Sequence, residues 1–217
     1  MVRPAPEYST PTGLLKGKTV LITAAAGSGI GGAVAQRADE EGATLRLSDM
    51  HERHLGETAD RIEALGFARP GMLVRDVTNG DQFQALVSGA IGTMGHVDIL
   101  INNAGLGGAA PVVEMTDNQW HKVLDVTLIS VFRILRANLP HMYERQKGAI
   151  VNNASVLGWR AQKLQAHYAA AKAGVMAFTR CSALETAEQG VRINAFRPAL
   201  RCTPRCPRSR RRGCLRN

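Results

Sequence analysis

The chain has 217 residues, 45% of them hydrophobic and 21% charged, values typical of one soluble globular domain. No apolar run is long enough to span a bilayer and no charged-then-apolar leader begins the chain, which argues against a membrane or secreted protein and favours a cytoplasmic location. The four cysteines have neither disulfide-like nor zinc-like spacing, so the sequence predicts no metal site.

The net charge of +9 suggests nucleic-acid binding until the charges are located. Residues 195–217 contain eight arginines and no acidic residue, so residues 1–194 carry 19 basic against 18 acidic side chains. This tail has no aromatic residue beyond Phe196 and no recognisable binding module. Nucleic-acid binding is therefore the weakest of three functional hypotheses, and we expect neither a nucleic-acid nor a membrane partner.

Residues 1–13 are rich in Pro, Ser and Thr and are expected to form a loose N-terminal arm. Beyond them, short apolar segments typical of strands alternate with segments of helical periodicity. The strands are predicted at 19–23, 43–48, 71–75, 97–101, 149–153 and 191–195, and the helices at 29–41, 52–65, 80–93, 117–139 and 166–189. This alternation predicts an α/β domain over residues 14–195, in which a doubly wound parallel sheet of six strands is covered by helices on both faces.

A loop of small residues follows the first predicted strand and leads into the first helix. It has the sequence TAAAGSGIGG and runs from Thr23 to Gly32. Small residues let the backbone approach a pyrophosphate closely, and the helix N-terminus supplies free N–H groups and a favourable dipole. Gly27, Gly29 and Gly32 match the dinucleotide-binding spacing. A flexible glycine-rich turn is the alternative interpretation, but the position between strand and helix favours a dinucleotide site.

Asp49 ends the second predicted strand, 20 residues after Gly29. An acid at this position accepts hydrogen bonds from both hydroxyls of the adenosine ribose and repels a 2′-phosphate. Asp49 therefore predicts NAD as the cofactor in preference to NADP. Arg46, His51 and Arg53 are close enough in the sequence to leave NADP open.

Tyr168 and Lys172 lie four residues apart, on one face of a predicted helix. A free tyrosine, with a pKa of about 10, is a poor base near neutrality. A nearby cation lowers that pKa by favouring the phenolate, and the positive nicotinamide ring of an oxidised cofactor acts in the same direction. We therefore predict Tyr168 as a general acid/base toward a carbonyl or alcohol oxygen. Ser155 follows an apolar strand 13 residues earlier and can hydrogen-bond the same oxygen.

Together these residues resemble the classical short-chain dehydrogenase/reductase family over about residues 15–194. The matching motifs stand in family order and at family spacing: Thr23, Gly27, Ser28, Gly29, Ile30 and Gly31 in the loop, then Asp76-Val77, Asn102-Asn103-Ala104-Gly105, Ser155, and Tyr168 with Lys172. The resemblance implies a Rossmann-like fold and a nicotinamide-dependent oxidoreductase that transfers a hydride between a cofactor and a secondary alcohol or ketone.

The same resemblance implies individual roles. Tyr168 would transfer the proton, Ser155 would position the reacting oxygen, and Lys172 would hold the nicotinamide ribose and tune Tyr168. The pair Asp76 and Val77 would flank the adenine. The cofactor floor would consist of Asn103, Ala104 and Gly105.

A narrower resemblance concerns the substrate. Residues 151–162 and 167–176 are similar to a bacterial subgroup that interconverts a ring hydroxyl and a ketone on CoA thioesters formed during steroid-ring breakdown. The wider subgroup includes 3-oxoacyl thioester reductases, which remain the alternative. The helices at 117–139 and 166–189 resemble those of a family dimer interface, which implies a homodimer.

One departure from the family pattern lies in the helix after the fourth strand. The family usually places an asparagine there, whose backbone supports a proton-relay water, whereas this chain aligns Thr127. A threonine hydroxyl competes for helix carbonyls and can leave a similar bend. No catalytic role is carried over to Thr127.

The second departure follows residue 195. The family continues through a substrate lid, a helix and a seventh strand, whereas residues 196–217 are arginine-rich and lack apolar periodicity. We expect this tail to be disordered and to be an out-of-frame or truncated reading of a family C-terminus. Without the seventh strand and lid, we expect reduced stability and weak turnover. The second functional hypothesis is therefore a truncated dinucleotide-binding protein with little or no catalysis.

Overall fold

The computed structural model describes residues 7–198. Its strands are β1 Thr19–Thr23, β2 Thr44–Asp49, β3 Gly71–Val74, β4 Ile99–Asn102, β5 Gly148–Asn153 and β6 Val191–Phe196. Its α-helices are α1 Ile30–Glu40, α2 Glu52–Glu63, α3 Gly80–Met94, α4 Asp117–Leu124, α5 Ser130–Glu144 and α6 Ala166–Ala187. The bounds of the predicted strands are within two residues of those observed.

All strand pairs are parallel, and the sheet order is β3-β2-β1-β4-β5-β6. Strands β2 and β3 lie in succession on one side of β1, and β4, β5 and β6 lie in succession on the other side. The strand order therefore reverses between β1 and β4. In such sheets, ligands bind beyond the carboxyl ends of the strands at this reversal. The predicted doubly wound, Rossmann-like sheet is confirmed. Within residues 7–198, β6 pairs with β5 alone.

Two hydrophobic clusters cover the two faces of the sheet because successive strand residues point to opposite sides. Leu21 on β1 packs with residues of α3 and α5. Its neighbours Val20 and Ile22 pack with residues of α1 and α2. Both faces are therefore buried, as expected for a parallel sheet.

The helix predicted at 117–139 is divided in the structure. A capping box of Thr116 and Gln119 begins α4, a π-helical turn at Asp125–Ile129 follows, and α5 continues to Glu144. Within the turn, the Thr127 hydroxyl accepts from Leu106 N–H (3.0 Å) and donates to Leu106 C=O (3.1 Å). The expected bend is present, but Thr127 bonds a loop and not a carbonyl of its own helix.

The described part of the N-terminal arm contacts the end of α1. The carboxylate of Glu41, which is 4% exposed, accepts the N–H groups of Thr12 (3.0 Å) and Leu14 (2.9 Å). Tyr8 donates to Glu40 (2.5 Å) and lies against Arg37. Charge-assisted hydrogen bonds to a buried carboxylate thus link residues 8–14 to α1 and its C-terminal end. Residues 1–6 and the tail at 199–217 lie outside the described residues.

Within residues 7–198, no helix combines the length and the apolar character needed to cross a membrane.

Candidate active site

The loop between β1 and α1 is held by side chains of α2. Gly27 has a φ of 80°, a left-handed conformation that favours glycine. Its N–H donates to Thr58 Oγ1 (2.8 Å), and its carbonyl oxygen accepts from Arg61 Nη2 (3.0 Å). Both polar groups of Gly27 are engaged within the chain, so this residue shapes the loop and has no N–H left for a diphosphate.

The N-terminus of α1 is open to solvent. Ser28, Gly29 and Ile30 are exposed, no side chain caps the first turn, and a Cβ at Gly29 would meet nothing within 4 Å. By contrast, a Cβ at Gly31 would collide with the main chain and with Asn103. Uncapped N–H groups at an open helix N-terminus attract anions. The segment at 28–31 therefore fits the diphosphate of a dinucleotide.

Asp49 lies at the carboxyl end of β2, beside this loop. Its carboxylate accepts the N–H groups of Ala26 (3.1 Å) and His51 (3.0 Å), one on each oxygen. Each oxygen keeps a free lone pair, so the carboxylate can still accept from ribose hydroxyls. Arg46 instead donates to a threonine on α3, and Arg53 pairs with an acid on its own helix. Arg46 and Arg53, two of the three residues that could have bound the 2′-phosphate of NADP, are thus engaged elsewhere.

Asp76 and Val77 follow β3 at the same edge of the sheet. Asp76 Oδ1 accepts from the N–H (2.8 Å) and the hydroxyl (2.9 Å) of Thr78. Val77 is partly buried and packs against the hydrophobic cluster of α3 and α5. The turn is therefore fixed where the family resemblance places the adenine.

Thr23 is the last residue of β1. It is 1% exposed, and its hydroxyl accepts from Asn103 N–H (3.0 Å) and donates to Ile101 C=O (3.3 Å). The Thr23 hydroxyl thus ties the ends of β1 and β4 together and so positions the residues that follow β4.

Three residues after β4 form a floor beside α6. Asn103 donates to a carbonyl of the phosphate loop (2.8 Å) and accepts from Asn153 Nδ2 (2.8 Å). Ala104 is buried and Gly105 is exposed. A Cβ at Gly105 would lie 3.3 Å from Lys172 Nζ, so glycine lets the floor approach the lysine closely.

Ser155, Tyr168 and Lys172 come together at this edge, as the sequence predicts. Ser155 is 8% exposed and precedes a short 3₁₀ turn, Val156–Gly158. Ser155 lies close enough to Tyr168 to lower the pKa of its phenol, and Lys172 Nζ lies 5.7 Å from the centroid of the Tyr168 ring. The three side chains project from β5 and α6 into one region.

The electrostatics of this region differ from the expectation. Burial raises the pKa of Tyr168, and the contact with Ser155 offsets only part of that rise. Lys172 is 2% exposed, and burial lowers the pKa of its ammonium to about 8. The pKa of Tyr168 is therefore raised and not lowered as expected, because desolvation outweighs the other effects.

Sequence reasoning missed a set of asparagines that supports these residues. Lys172 Nζ donates to the carbonyl oxygen of Asn153 (2.5 Å). Asn102 donates to Asn152 (2.8 Å), which donates in turn to Thr179 on α6 (2.9 Å). A signal was present, because an Asn-Asn pair ends two predicted strands in the same way. Thr58 and Arg61 left no such signal.

Comparison with known proteins agrees with this geometry. The family model described as short chain dehydrogenase matches residues 18–211. A relative in Mycobacterium tuberculosis, a (5R,7aS)-5-hydroxy-7a-methyl-1-oxo-2,3,5,6,7,7a-hexahydro-1H-indene-carboxyl-CoA reductase, is 58% identical over 197 residues, which are 90% of this chain and 75% of that protein.

Two solved structures share the fold. A short chain dehydrogenase from Mycobacterium smegmatis is 56% identical with a TM-score of 0.88, and the match covers 92% of this chain and 83% of that one. A carveol dehydrogenase from Mycobacterium avium, solved in complex with NAD, is 31% identical with a TM-score of 0.80, and the match covers 86% of this chain and 72% of the other.

Proposed function

Because the chain belongs to the short-chain dehydrogenase family and is an oxidoreductase of the nicotinamide-dependent kind, we propose that it reduces a ring ketone carried on a CoA thioester, with NADH as the cofactor. The observation that carries this proposal is the convergence of Ser155, Tyr168 and the buried Lys172 beside an open helix N-terminus. In this proposal, Ser155, Tyr168 and Lys172 are the catalytic residues.

The dinucleotide is held at three places. The first-turn N–H groups of α1 bind the diphosphate. Asp49 accepts from the adenosine ribose hydroxyls, and its negative charge disfavours a 2′-phosphate. The preference for NAD follows from Asp49 together with the engagement of Arg46 and Arg53 elsewhere. Asn103, Ala104 and Gly105 form the surface beneath the nicotinamide.

The residues of α6 and β5 handle the proton. The bound nicotinamide supplies the hydride to the substrate carbon. Tyr168 stays protonated at neutral pH because burial raises its pKa, so it is suited to donate a proton to the ketone oxygen as negative charge develops there. The Ser155 hydroxyl donates to the same oxygen and fixes its position. This state of Tyr168 favours reduction as the working direction.

Lys172 orients the cofactor by binding its nicotinamide ribose. Its ammonium is fixed by the carbonyl of Asn153 (2.5 Å), which leaves two N–H donors for ribose hydroxyls. Its charge also stabilises negative charge that forms near Tyr168 during proton transfer.

The substrate class follows from the most informative relative. At 58% identity over 90% of this chain, that reductase acts on an indene-carboxyl-CoA, a fused-ring CoA thioester. We place the substrate of this chain in the same class, of the kind formed in steroid-ring breakdown. The alternative is a linear 3-oxoacyl thioester.

A homodimer is part of the same proposal. Phe132 on α5 is 41% exposed and lies edge-on to Phe178 on α6, with the ring centroids 6.2 Å apart. Leu184, farther along α6, is 80% exposed. An apolar face over two adjacent helices is typical of an interface. Light scattering of the purified chain should give the dimer mass, and Leu184→Glu should give the monomer mass.

A cofactor-oxidation assay tests the activity. The purified chain is mixed with NADH or NADPH and a panel of bicyclic keto-CoA and linear 3-oxoacyl-CoA thioesters. We expect bicyclic ketones with NADH to give a kcat/KM about tenfold or more above every other combination. A preference for linear substrates would support the 3-oxoacyl alternative. Calorimetric NAD binding without reduction of any ketone would support a dinucleotide-binding protein without catalysis.

A further inference from the structure

An exposed aromatic side chain lies beside the candidate active site. Trp159 is 75% exposed, and the guanidinium carbon of Arg197 lies 5.8 Å from the centroid of its ring. The two residues belong to segments that follow β5 and β6. A main-chain hydrogen bond from Val156 N–H to Pro198 C=O (3.1 Å) joins those segments. The indole and the guanidinium are therefore neighbours on one supported surface.

The surroundings of this indole are basic. No acidic residue occurs between Glu144 and Glu185. Arg160 and Lys163 are exposed, and the ion pairs within residues 7–198 involve neither of them nor Arg197. Two other exposed arginines, at positions 53 and 69, are paired with acids. This surface thus keeps unneutralised cations next to an unburied aromatic ring.

An exposed indole flanked by guanidinium groups has the chemistry that recognises a purine nucleotide. A base stacks on an aromatic ring, and each arginine offers paired N–H donors to a phosphate. Trp159 comes only four residues after Ser155, and the 3₁₀ turn Val156–Gly158 between them keeps the two residues close together. The flexible pantetheine arm, which joins the thioester of CoA to its nucleotide, is long enough to connect them.

We propose that Trp159, Arg160 and Arg197 form a nucleotide platform that binds the 3′-phospho-ADP end of a CoA thioester while its acyl group reaches Ser155 and Tyr168. The proposal rests on the function proposed above and adds the site that recognises the CoA carrier. The adenine stacks on the open part of the indole, and the arginines bind the phosphates.

A carrier protein is the competing occupant. Such a partner would present an acidic surface, and the cationic side chains alone would be enough to bind it. The exposed indole beneath a guanidinium adds a π-face that an acidic protein surface does not need and that a purine does. The observations therefore favour the nucleotide.

Binding is tested by the fluorescence of Trp159. The chain contains two tryptophans, so Trp120→Phe leaves Trp159 as the sole reporter. With excess NAD present to occupy the dinucleotide site, the variant is titrated with CoA, dephospho-CoA and pantetheine. We expect saturable quenching by CoA, affinity about tenfold weaker for dephospho-CoA because a phosphate contact is lost, and no quenching by pantetheine. Equal responses to CoA and pantetheine would overturn the proposal.

Kinetics with matched variants provide the second readout. Trp159→Leu and Arg160→Gln should each raise the KM for an acyl-CoA by about tenfold, since one stacked base or phosphate contact is lost. The kcat, and the kinetics of the corresponding pantetheine thioester, should not change. Lys147→Gln removes the same charge from an exposed position before β5 and serves as the control, with an unchanged KM.

The outcomes separate this proposal from the function it rests on. Saturable CoA quenching without reduction of any acyl-CoA would uphold the platform and reject the proposed activity. Reduction of acyl-CoA with a KM insensitive to Trp159→Leu would uphold the activity and overturn the platform. Preference for a carrier-protein thioester, lost in Arg160→Gln but kept in Trp159→Leu, would assign the surface to a carrier protein and overturn it as well.

Discussion

Asp98 at the amino edge of the sheet and Lys172 at the carboxyl edge are both buried charged groups, but their surroundings act on their charges in opposite ways. At the amino edge, Asp98 is 5% exposed and accepts from Thr19 N–H (3.2 Å), Arg145 (2.9 Å) and His96 (3.2 Å). Burial alone would raise the pKa of Asp98, but the hydrogen bonds from Arg145 and Thr19 outweigh it and hold the pKa at about 2. The charged form is therefore stabilised at this edge.

At the carboxyl edge, burial outweighs the compensating contacts with Ser155 and with the Asn153 carbonyl. It lowers the pKa of Lys172 to about 8 and raises that of Tyr168. Side-chain oxygens of Asn102 and Asn153 are buried without a partner among the described residues. Shifted pKa values beside unpaired polar groups are common where a site binds and reacts. We therefore expect Asp98 to contribute mainly to stability, and Tyr168 and Lys172 mainly to the proposed activity.

The largest expected effect separates activity from stability at the carboxyl edge. Tyr168→Phe removes the proposed proton donor and should lower kcat by roughly 10²- to 10⁴-fold, the usual contribution of general acid catalysis. The Kd for NAD and the midpoint of thermal unfolding should change little. Steady-state kinetics, calorimetry and thermal melts provide the three measurements. A kcat within threefold or so of the parent would remove Tyr168 from the proposed mechanism.

The amino edge should show the converse. Asp98→Ala leaves Arg145 and the Thr19 N–H without their acceptor and should cost about 3 kcal/mol in the free energy of unfolding. The kcat of the folded fraction should stay near the parental value, since Asp98 lies at the edge opposite Tyr168. Chemical denaturation and kinetics on the same sample measure both. A large loss of kcat with unchanged stability would reverse the assignment of the two edges.

Acid titration should act through the amino edge. The folded pKa of Asp98, about 2, lies below its unfolded value of about 3.9. Its stabilisation is therefore complete above the unfolded pKa and is lost as the pH falls toward 2, by about 2 kcal/mol. Asp98→Asn cannot titrate, so its unfolding free energy should fall less steeply between about pH 5 and pH 2. If the unfolding free energy of the parent and of Asp98→Asn fell with equal slope against pH, Asp98 would not be responsible for the acid-induced loss of stability.

Alkaline titration should act through the carboxyl edge. Lys172 loses its proton as the pH rises through about 8. The kcat/KM for ketone reduction should then fall about tenfold per pH unit above that value, because only the charged lysine orients the cofactor and stabilises the developing charge. Lys172→Arg keeps the charge to high pH, so the fall in kcat/KM should begin at a higher pH, at reduced overall activity. A flat pH profile to about pH 10, where a free lysine begins to titrate, would contradict the role of Lys172.

The same contrast explains what the sequence could predict. Strand bounds and the grouping of Ser155, Tyr168 and Lys172 follow from periodicity, from the order of motifs and from the rule that parallel strands end at one edge. The pKa of Tyr168 was not predictable, because it depends on how deeply the ring is buried. Nor was the pairing of Asp98 with Arg145, which lie 47 residues apart in segments without a motif.

The contact between Thr58 and the phosphate loop was equally unpredictable from the sequence. It allows the test with the smallest expected effect and the highest selectivity. Thr58 is fully buried and fixes the N–H of Gly27 at the carboxyl edge. Thr186 is also fully buried, and its hydroxyl donates to Val191 C=O (2.9 Å) at the amino edge. Each hydroxyl also donates to a carbonyl of its own helix, of His54 (3.0 Å) for Thr58 and of Ala183 (3.5 Å) for Thr186. Thr58→Val and Thr186→Val therefore remove two hydrogen bonds each, and both should lower the unfolding free energy by about 1 to 2 kcal/mol.

Only the loop variant should affect the cofactor. In Thr58→Val, Gly27 loses the acceptor that holds the turn, so the N-terminus of α1 must be ordered again when NAD binds. We expect the Kd for NAD to rise by about fivefold, with kcat at saturating NADH unchanged, whereas Thr186→Val should leave the Kd at its parental value. Calorimetric titration of both variants measures this difference. Equal Kd values would mean that α2 supports the fold alone, and that the loop reaches its binding geometry without help from Thr58.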